Sequence, residues 1–157
     1  MIATFAMPAM AEMKIGVVDL RQALFTSNAA QSFSEQLKSE FTRDENEVRA
    51  AQEAARKLQE RLEKDGAMMN EAERTRLASE FEDKVKEFNY LKNRLDTAVA
   101  KRKQTFLQDS RPLVDESLKN ILESRKLDLI LPREAVVYVS PEMDLTPALI
   151  ESLNKKR

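Results

Sequence analysis

The feature that most constrains this sequence is a long helical pattern, from Arg21 to Arg125, that is interrupted only once, at Lys64–Asn70. On both sides of the interruption, apolar residues recur at steps of three, four or seven, which is the spacing of a coiled-coil seam. Glu, Lys, Arg and Gln fill most of the remaining positions. The pattern predicts two long amphipathic helices that fold back on each other at the break.

The interruption carries signals for one helix end and one helix start. Gly66 is expected to adopt the left-handed conformation that ends the first helix. Asn70 and Glu73 have the spacing of a capping box, which begins the second helix. A hairpin centred on this turn pairs residues whose numbers add up to about 136, so the seam is predicted to place Val48 opposite Phe88.

Composition excludes several classes of function. The chain has 26 basic and 27 acidic residues, so it lacks the basic balance of a nucleic-acid-binding protein. It contains no Cys and no His, which excludes disulfides, thiol chemistry and the usual zinc sites. No nucleophile and base stand in a recognisable motif, and there is no glycine-rich phosphate loop. We therefore expect no catalytic residues, no metal and no cofactor.

The first eleven residues bear on localisation. Residues 1–11 are almost wholly apolar and end in the small-residue pattern Ala9-x-Ala11, which a signal peptidase reads. The segment is too short to span a bilayer, and it lacks the basic start of a complete signal peptide. We interpret it as a signal-peptide remnant, with a mature chain that starts near Glu12, although an apolar disordered N-terminus also fits.

Short β-prone runs flank the helical region, at Lys14–Asp19, Lys126–Leu131 and Ala135–Val139. The last two are separated by Pro132-Arg-Glu, a candidate hairpin turn. After the first run, either Asp19 or the turn at Thr26-Ser-Asn28 can begin the helix. Pro112 lies inside the second helical pattern, where it is expected to kink or restart the helix because it lacks an N–H donor.

Together these signals predict a mainly α protein with a small β body, in which a long antiparallel helical hairpin, the coiled-coil arm, projects from a β-rich oligomerisation body. The predicted arm is residues 23–111, with its tip at 65–70. The body is residues 12–22 and 112–157, with three short strands and additional helices. Three short strands bury little surface and leave open sheet edges, so the body is expected to pool strands from several copies of the chain.

This order of elements resembles the Skp/OmpH family of periplasmic chaperones over nearly the whole chain from about Met13. The residues that carry the resemblance are the opening strand, the charged hairpin and the segments behind it. In sequence they read Lys14-Ile-Gly-Val-Val-Asp19, Leu127-Asp-Leu-Ile-Leu131, Ala135-Val-Val-Tyr-Val139 and Asp144-Leu-Thr-Pro-Ala-Leu-Ile-Glu-Ser-Leu-Asn154.

The resemblance implies a homotrimer whose three arms enclose a cavity. In that cavity the family holds unfolded outer-membrane β-barrel proteins in the periplasm, without ATP, and so prevents their aggregation. Well-known members are strongly basic, which favours contact with anionic lipid and lipopolysaccharide. Because this chain is near neutral, we expect at most a weak contact of that kind and no nucleic-acid partner.

Candidate functional residues follow from this arrangement. Met68 and Met69 at the tip are flexible apolar side chains that can contact a client, although they can equally close the end of the seam. Lys101, Arg102 and Lys103 form a basic run that can meet acidic clients, or is only a solvated helix face. Pro112 is a candidate hinge or a static break. The residues expected at the oligomer interface are Ile15, Val17, Val18, Leu129, Leu131, Val137 and Val139.

Two other interpretations stay open at this stage. A structural envelope protein could use a coiled coil as a spacer or tether, without chaperone activity. A cytosolic prefoldin-like chaperone shares the combination of hairpin and strands, but the apparent export signal argues against it.

Overall fold

The computed structural model describes residues 13–155, so the predicted signal-peptide remnant at residues 1–11 lies outside the described part. The described residues divide into two compact units. One, the sheet unit, comprises the residues up to Ser32 and those from Asp109 onward, and the other, the hairpin unit, is Phe33–Gln108. The domain boundaries drawn from the sequence, 23–111 for the arm, remain a prediction.

The elements in chain order are β1 (Ile15–Val18), α1 (Leu20–Thr26), α2 (Asn28–Asp65), α3 (Glu71–Ser124), β2 (Leu129–Pro132) and α4 (Thr146–Lys155).

The sheet has two parallel strands, with Ile15 paired to Leu129 and Val18 to Pro132. Residues far apart in sequence therefore lie side by side. At the other edge of β1, Val17 forms an isolated parallel bridge with Asp144, and the Leu145 amide donates to the Val17 carbonyl at 2.7 Å. Long helices with a small sheet confirm the predicted fold class.

The predicted third strand, Ala135–Val139, is not formed within the chain, and the predicted hairpin at Pro132–Glu134 is wrong. A 3-10 turn at Arg133–Ala135 follows β2 directly, and the next residues have no regular structure. A tight hairpin favours residues that accept positive φ, such as Gly or Asn, and this segment has none. A β-prone sequence also needs a neighbouring strand to pair with, and here β1 occupies one edge of β2.

The core of the sheet unit lies between the sheet and the helices around it. Its buried residues come from both ends of the chain, and partly buried side chains such as Leu118, Leu127 and Ile130 pack against them. Gly16 is required here, because a Cβ at this position would collide with the Leu145 side chain. The buried residues of this core are Val18, Ala23, Ile121, Leu145, Leu149 and Leu153.

Side-chain hydrogen bonds position the short helices of the sheet unit. Asp19 caps α1 by accepting from the Gln22 amide at 2.7 Å, while the Asp19 amide donates to Thr146 Oγ1 at 3.0 Å. A break at Ser27 separates α1 from α2. The buried Ser27 hydroxyl donates to the Leu24 carbonyl at 2.6 Å and accepts from the Ala30 amide at 3.2 Å. Both helix starts that the sequence offered are therefore used.

The turn between α2 and α3 confirms the predicted capping box. The Glu73 amide donates to Asn70 Oδ1 at 2.9 Å, and the Asn70 amide donates to Glu73 Oε2 at 3.4 Å. The left-handed conformation expected at Gly66 is wrong, because no glycine has positive φ. Gly66 is needed for a different reason: a Cβ there would collide with the Leu62 carbonyl oxygen.

The two helices of the hairpin unit contact each other as an antiparallel pair. The Phe106 ring stacks on Phe33, with centroids 4.3 Å apart and planes inclined by 12°, and Arg102 bonds to Glu40. Both partners lie a few residues nearer the turn than the residues level with Phe106 and Arg102 in the predicted register. Helical side chains lean toward the N-terminus of their own helix, so a side chain of α3 meets an α2 residue nearer the turn than the one level with its Cα. The predicted register, with Val48 opposite Phe88, stays a prediction.

Helix α3 is continuous through Pro112, so the predicted restart of the helix is wrong, while a role for Pro112 as a hinge stays a prediction. The helix ends in a way that the sequence did not indicate. Lys126 adopts a left-handed conformation with φ of 51°. The Leu127 amide then donates to the Leu122 carbonyl at 2.9 Å and the Lys126 amide to the Glu123 carbonyl at 3.2 Å, which is a Schellman cap formed without glycine.

Candidate functional site

One of the two methionines at the tip of the hairpin unit is highly exposed to solvent. Met68 lies in the turn, its amide donates to the Asp65 carbonyl at 2.9 Å, and it is 84% exposed. Met69 is half-buried and lines a shallow groove that also includes Arg61 and Leu77. The two residues predicted to act together therefore have different surroundings, and Met68 is the one open to a partner.

The basic run at residues 101–103 does not form one patch. Successive residues of a helix point about 100° apart, and Lys101 and Lys103 line different grooves of the hairpin unit. Lys101 lines a groove with Tyr90 and Ala98, whereas Lys103 lines another groove with Glu45 and Val99. The consecutive positions that suggested a cluster are thus separated around the helix.

Arg102 has a structural environment between the two lysines. Its Nε donates to Glu40 Oε2 on α2 at 2.9 Å. Its guanidinium carbon lies 5.8 Å from the centre of the Phe33 ring, which in turn stacks on Phe106. The side chain thus joins α2 and α3 through an ion pair and a cation–π contact.

Most other charges of the hairpin unit are engaged with one another. Arg56 Nη2 donates to Glu53 Oε1 at 2.7 Å, and this hydrogen bond lowers the pKa of the Glu53 carboxyl. Arg94 Nη2 crosses to Asp44 Oδ1 at 2.8 Å, and that hydrogen bond raises the pKa of the Arg94 guanidinium. These groups are exposed and paired, so they form a solvated charged surface.

Neither metal-binding nor membrane-spanning features occur in the described part of the chain. Between residues 13 and 155, no group of three or more Asp or Glu side chains is arranged to hold a metal ion, and the sequence contains no His or Cys. Within the same residues, none of the helices combines the length and apolar character needed to cross a bilayer.

The predicted interface residues of the two strands lie on different faces of the sheet. Side chains alternate between faces along each strand, and Val18 belongs to the core of the sheet unit. The opposite face is aliphatic. Val17 on that face is already buried within the chain, whereas Leu129 is exposed. This face, hereafter the outer sheet face, consists of Ile15, Val17, Leu129 and Leu131.

The segment Val136–Val139 is the most exposed apolar stretch of the sheet unit. Val137 is fully exposed and Tyr138 is 80% exposed, although Val139 is half-buried. Arg133 Nη1 donates to the Val136 carbonyl at 3.0 Å and fixes the start of the segment. An exposed β-prone segment next to an open strand edge is a place where another chain can add.

Sequence reasoning missed Tyr90, which is 66% exposed on α3. The sequence could have indicated this exposure, because Tyr90 precedes Leu91 and does not belong to the apolar stripe. An aromatic residue that does not belong to the seam must lie at the surface of a two-helix hairpin, because such a hairpin has no second apolar face.

Long helices paired in a hairpin, together with a small parallel sheet and a short closing helix, define a class of helical-hairpin proteins with a sheet unit at the chain ends. The sequence matches the family described as outer membrane protein (OmpH-like) over residues 14–153, and the chain belongs to this family. This confirms the resemblance inferred from the segments that flank the hairpin.

Individual relatives agree with this assignment. The chain is 29% identical over 149 residues to a Skp-like protein of Pseudomonas aeruginosa, covering 95% of this chain and 89% of the relative. It is 24% identical over 143 residues to the chaperone protein Skp of Vibrio cholerae, covering 91% and 85%. A crystal structure of an OmpH-like protein from Caulobacter crescentus shares the fold, with a TM-score of 0.69 at 17% identity, and the match covers 94% of this chain and 87% of that one.

Proposed function

We propose that this protein is an ATP-independent holdase chaperone of the periplasm, which keeps unfolded outer-membrane proteins from aggregating. The observation that carries the proposal is family membership across residues 14–153. Relatives that bear the name chaperone protein Skp match over most of their length. We further propose that three copies assemble and that their arms enclose the space in which a client is held.

The surface of the hairpin unit supports binding without catalysis. A holdase must bind many sequences weakly and reversibly, which calls for numerous small contacts rather than one deep pocket. The grooves along the hairpin unit are open, and many charges on the surface of α2 and α3 are paired with one another. Exposed large apolar side chains are isolated from one another, at Met68, Tyr90 and Leu107. Isolated apolar side chains on a solvated surface can make weak contacts with an unfolded chain.

The sheet unit supports assembly. Between residues 13 and 155 the sheet has two strands, and so small a sheet needs packing partners to be stable. On the outer sheet face Leu129 is exposed, and Val137 in the segment behind β2 is fully exposed. We propose that Ile15, Leu129 and Leu131 of the outer sheet face, together with Val137 and Val139, contact neighbouring copies, whereas the buried Val17 and Val18 act within their own protomer.

The test combines molar mass with an aggregation assay. The purified protein should have the mass of a trimer in light scattering. It should also keep an outer-membrane β-barrel protein soluble after dilution from urea, with no nucleotide present, because binding the unfolded state lowers the concentration that can aggregate. A trimer that leaves aggregation unchanged would instead indicate the structural spacer, and a monomer that protects clients would contradict the cavity.

Lipid contact is a weaker part of the proposal. A net formal charge of −1 gives little long-range attraction to anionic surfaces. We expect at most slight co-sedimentation with vesicles that contain anionic lipid or lipopolysaccharide. Salt at about 0.5 M should abolish this co-sedimentation, because it screens the charges almost completely.

A further inference from the structure

One face of α3 combines an exposed aromatic ring with an exposed cation along a shallow, open depression. The space above this surface has a volume of about 430 Å³. Tyr90 stands at one end of the depression and Lys101 at the other, and small side chains at Thr97 and Ala98 form the floor between them. We call this surface the Tyr90 trough, and its lining residues are Tyr90, Asn93, Arg94, Thr97, Ala98 and Lys101.

The positive charge of the trough is concentrated at one end. Arg94 is hydrogen-bonded to both Asp44 and Glu47, at 2.8 and 3.2 Å, so its charge is largely compensated. No carboxylate of the described residues forms an ion pair with Lys101. The ammonium group of Lys101 is therefore the cation that remains available to an incoming group.

The dimensions of the trough match a short extended peptide. Lys101 follows Tyr90 by eleven positions, which corresponds to a rise of about 16 Å along the helix. An extended strand of about five residues has this length. Asn93 and Thr97 place an amide and a hydroxyl along the trough, where they can hydrogen-bond to peptide groups. The small Ala98 side chain lets a backbone approach the helix closely.

We propose that the Tyr90 trough binds an extended client segment that carries an aromatic or large apolar residue about four residues away from an Asp or Glu. The ring of Tyr90 packs on the apolar residue, and Lys101 pairs with the carboxylate. Transmembrane β-strands alternate apolar and polar residues and end in aromatic girdles, so unfolded outer-membrane chains offer such segments repeatedly. This inference rests on the proposed function and assigns it one specific subsite.

The experiment measures binding of two fluorescent ten-residue peptides by anisotropy in low salt. Both peptides alternate apolar and polar residues and carry one Phe, and they differ only in an Asp or a Lys four residues beyond it. We expect the full-length protein to bind the Asp peptide about threefold to fivefold more tightly, which is the range of an exposed ion pair. Lys101→Glu should reverse this preference, and Tyr90→Ser should weaken both peptides about fivefold.

Lys103→Glu is the matched control, since it makes the same charge change two residues away on the same helix but faces another groove. The proposal is overturned if Lys101→Glu and Lys103→Glu change the peptide preference equally, or if neither peptide binds. The aggregation assay separates the two levels of inference. Loss of protection by the unaltered protein would refute the holdase function, whereas full protection with no peptide preference would refute only the trough.

Discussion

The sheet unit and the hairpin unit are stabilised in different ways. In the sheet unit, Leu145 and Leu149 are essentially inaccessible to solvent and pack with residues from both ends of the chain. In the hairpin unit, burial is confined to a narrow seam with small residues such as Ala51 and Ala55. Outside that seam, exposed ion pairs such as Arg76 with Glu80 at 2.9 Å dominate.

This difference indicates where the sequence can vary. A packed core loses stability with any change of volume, whereas an exposed ion pair contributes little on its own. Side chains on the hairpin surface can therefore change without loss of the fold, which suits the proposed contact with clients of many sequences. The following substitutions test this contrast. Because the proposed assembly would add to apparent stability, all should be measured at one protein concentration.

The largest effect is expected in the sheet-unit core. Leu149→Ala should lower the free energy of unfolding by about 3 kcal/mol, because it removes a fully buried side chain and leaves a cavity. Leu107→Ala on the hairpin surface deletes the same atoms from an exposed position and should cost under about 1 kcal/mol. Urea denaturation followed by circular dichroism measures both, and equal losses would contradict the contrast.

Adding volume to the sheet unit should also be costly. Gly16→Ala places a methyl group against the Leu145 side chain and should cost about 2 kcal/mol by overpacking. The double variant Gly16→Ala, Leu145→Ala removes both colliding atoms, Cγ and Cδ1 of Leu145. Its loss should be smaller than the sum of the two single losses, and strict additivity in urea denaturation would show that the close approach is not the cause.

Two buried serines should respond in opposite directions. Ser117 is fully buried, and its hydroxyl has no hydrogen-bond partner among residues 13–155, so Ser117→Ala should stabilise the protein by about 1 kcal/mol. Ser27 is equally buried but hydrogen-bonds to Leu24 and Ala30, so Ser27→Ala should destabilise it by about the same amount. Thermal melts of the two variants provide the comparison, which fails if both shift the midpoint in the same direction.

A smaller effect is expected from the ion pairs that cross the hairpin. Arg94→Gln removes contacts to Asp44 and Glu47 and should lower the urea midpoint only slightly at low salt, because ion pairs between solvent-accessible side chains contribute little. The loss should shrink further in about 1 M salt, where charges are screened over a few ångströms. A loss that is unchanged by salt would indicate packing by the arginine stem instead.

The smallest effect concerns pH. Hydrogen bonds from Thr146 hold the pKa of the Asp144 carboxyl below its ordinary value of 3.8, and the charge of Arg133 lowers it further. A depressed folded-state pKa stabilises the fold above the unfolded-state value, and this contribution is lost as pH falls through the folded-state value. The stability difference between the unaltered protein and Asp144→Asn should therefore be constant from pH 7 to about 5 and shrink below pH 4 or so.

Helix periodicity made the hairpin predictable, and local capping rules identified Asn70 with Glu73. The exact pairing of α2 with α3 is harder to predict, because apolar stripes repeat every three or four residues and match again after a shift of one turn. The third strand could not be judged from Ala135–Val139 alone, since strand formation depends on a partner strand. The left-handed Lys126 had no sequence signal, because the position is one that glycine normally occupies.

The sequence can predict which residues share a helix face, but it cannot predict how their charges pair across the hairpin. Lys101, Arg102 and Lys103 are adjacent in sequence, but a helix distributes adjacent residues around its circumference. Tyr90 and Lys101 are eleven positions apart and share one face of α3, which helical periodicity alone indicates. The contacts of Arg102 with Glu40 and Phe33 depend on which residues of α2 lie opposite, and single-sequence patterns do not contain that information.

The pairing of Ile15 with Leu129 has a consequence for how the chain folds. More than a hundred residues separate these partners, so closing the sheet from a disordered chain would cost considerable loop entropy and be slow. The intervening helices fold through local contacts, and the Phe33–Phe106 stack closes the hairpin unit at the end away from its turn. Once the hairpin has formed, the loop that remains to be closed is much shorter. The hairpin should therefore fold first and template the sheet, and a chain that is still emerging cannot complete the sheet until its last thirty residues or so are free.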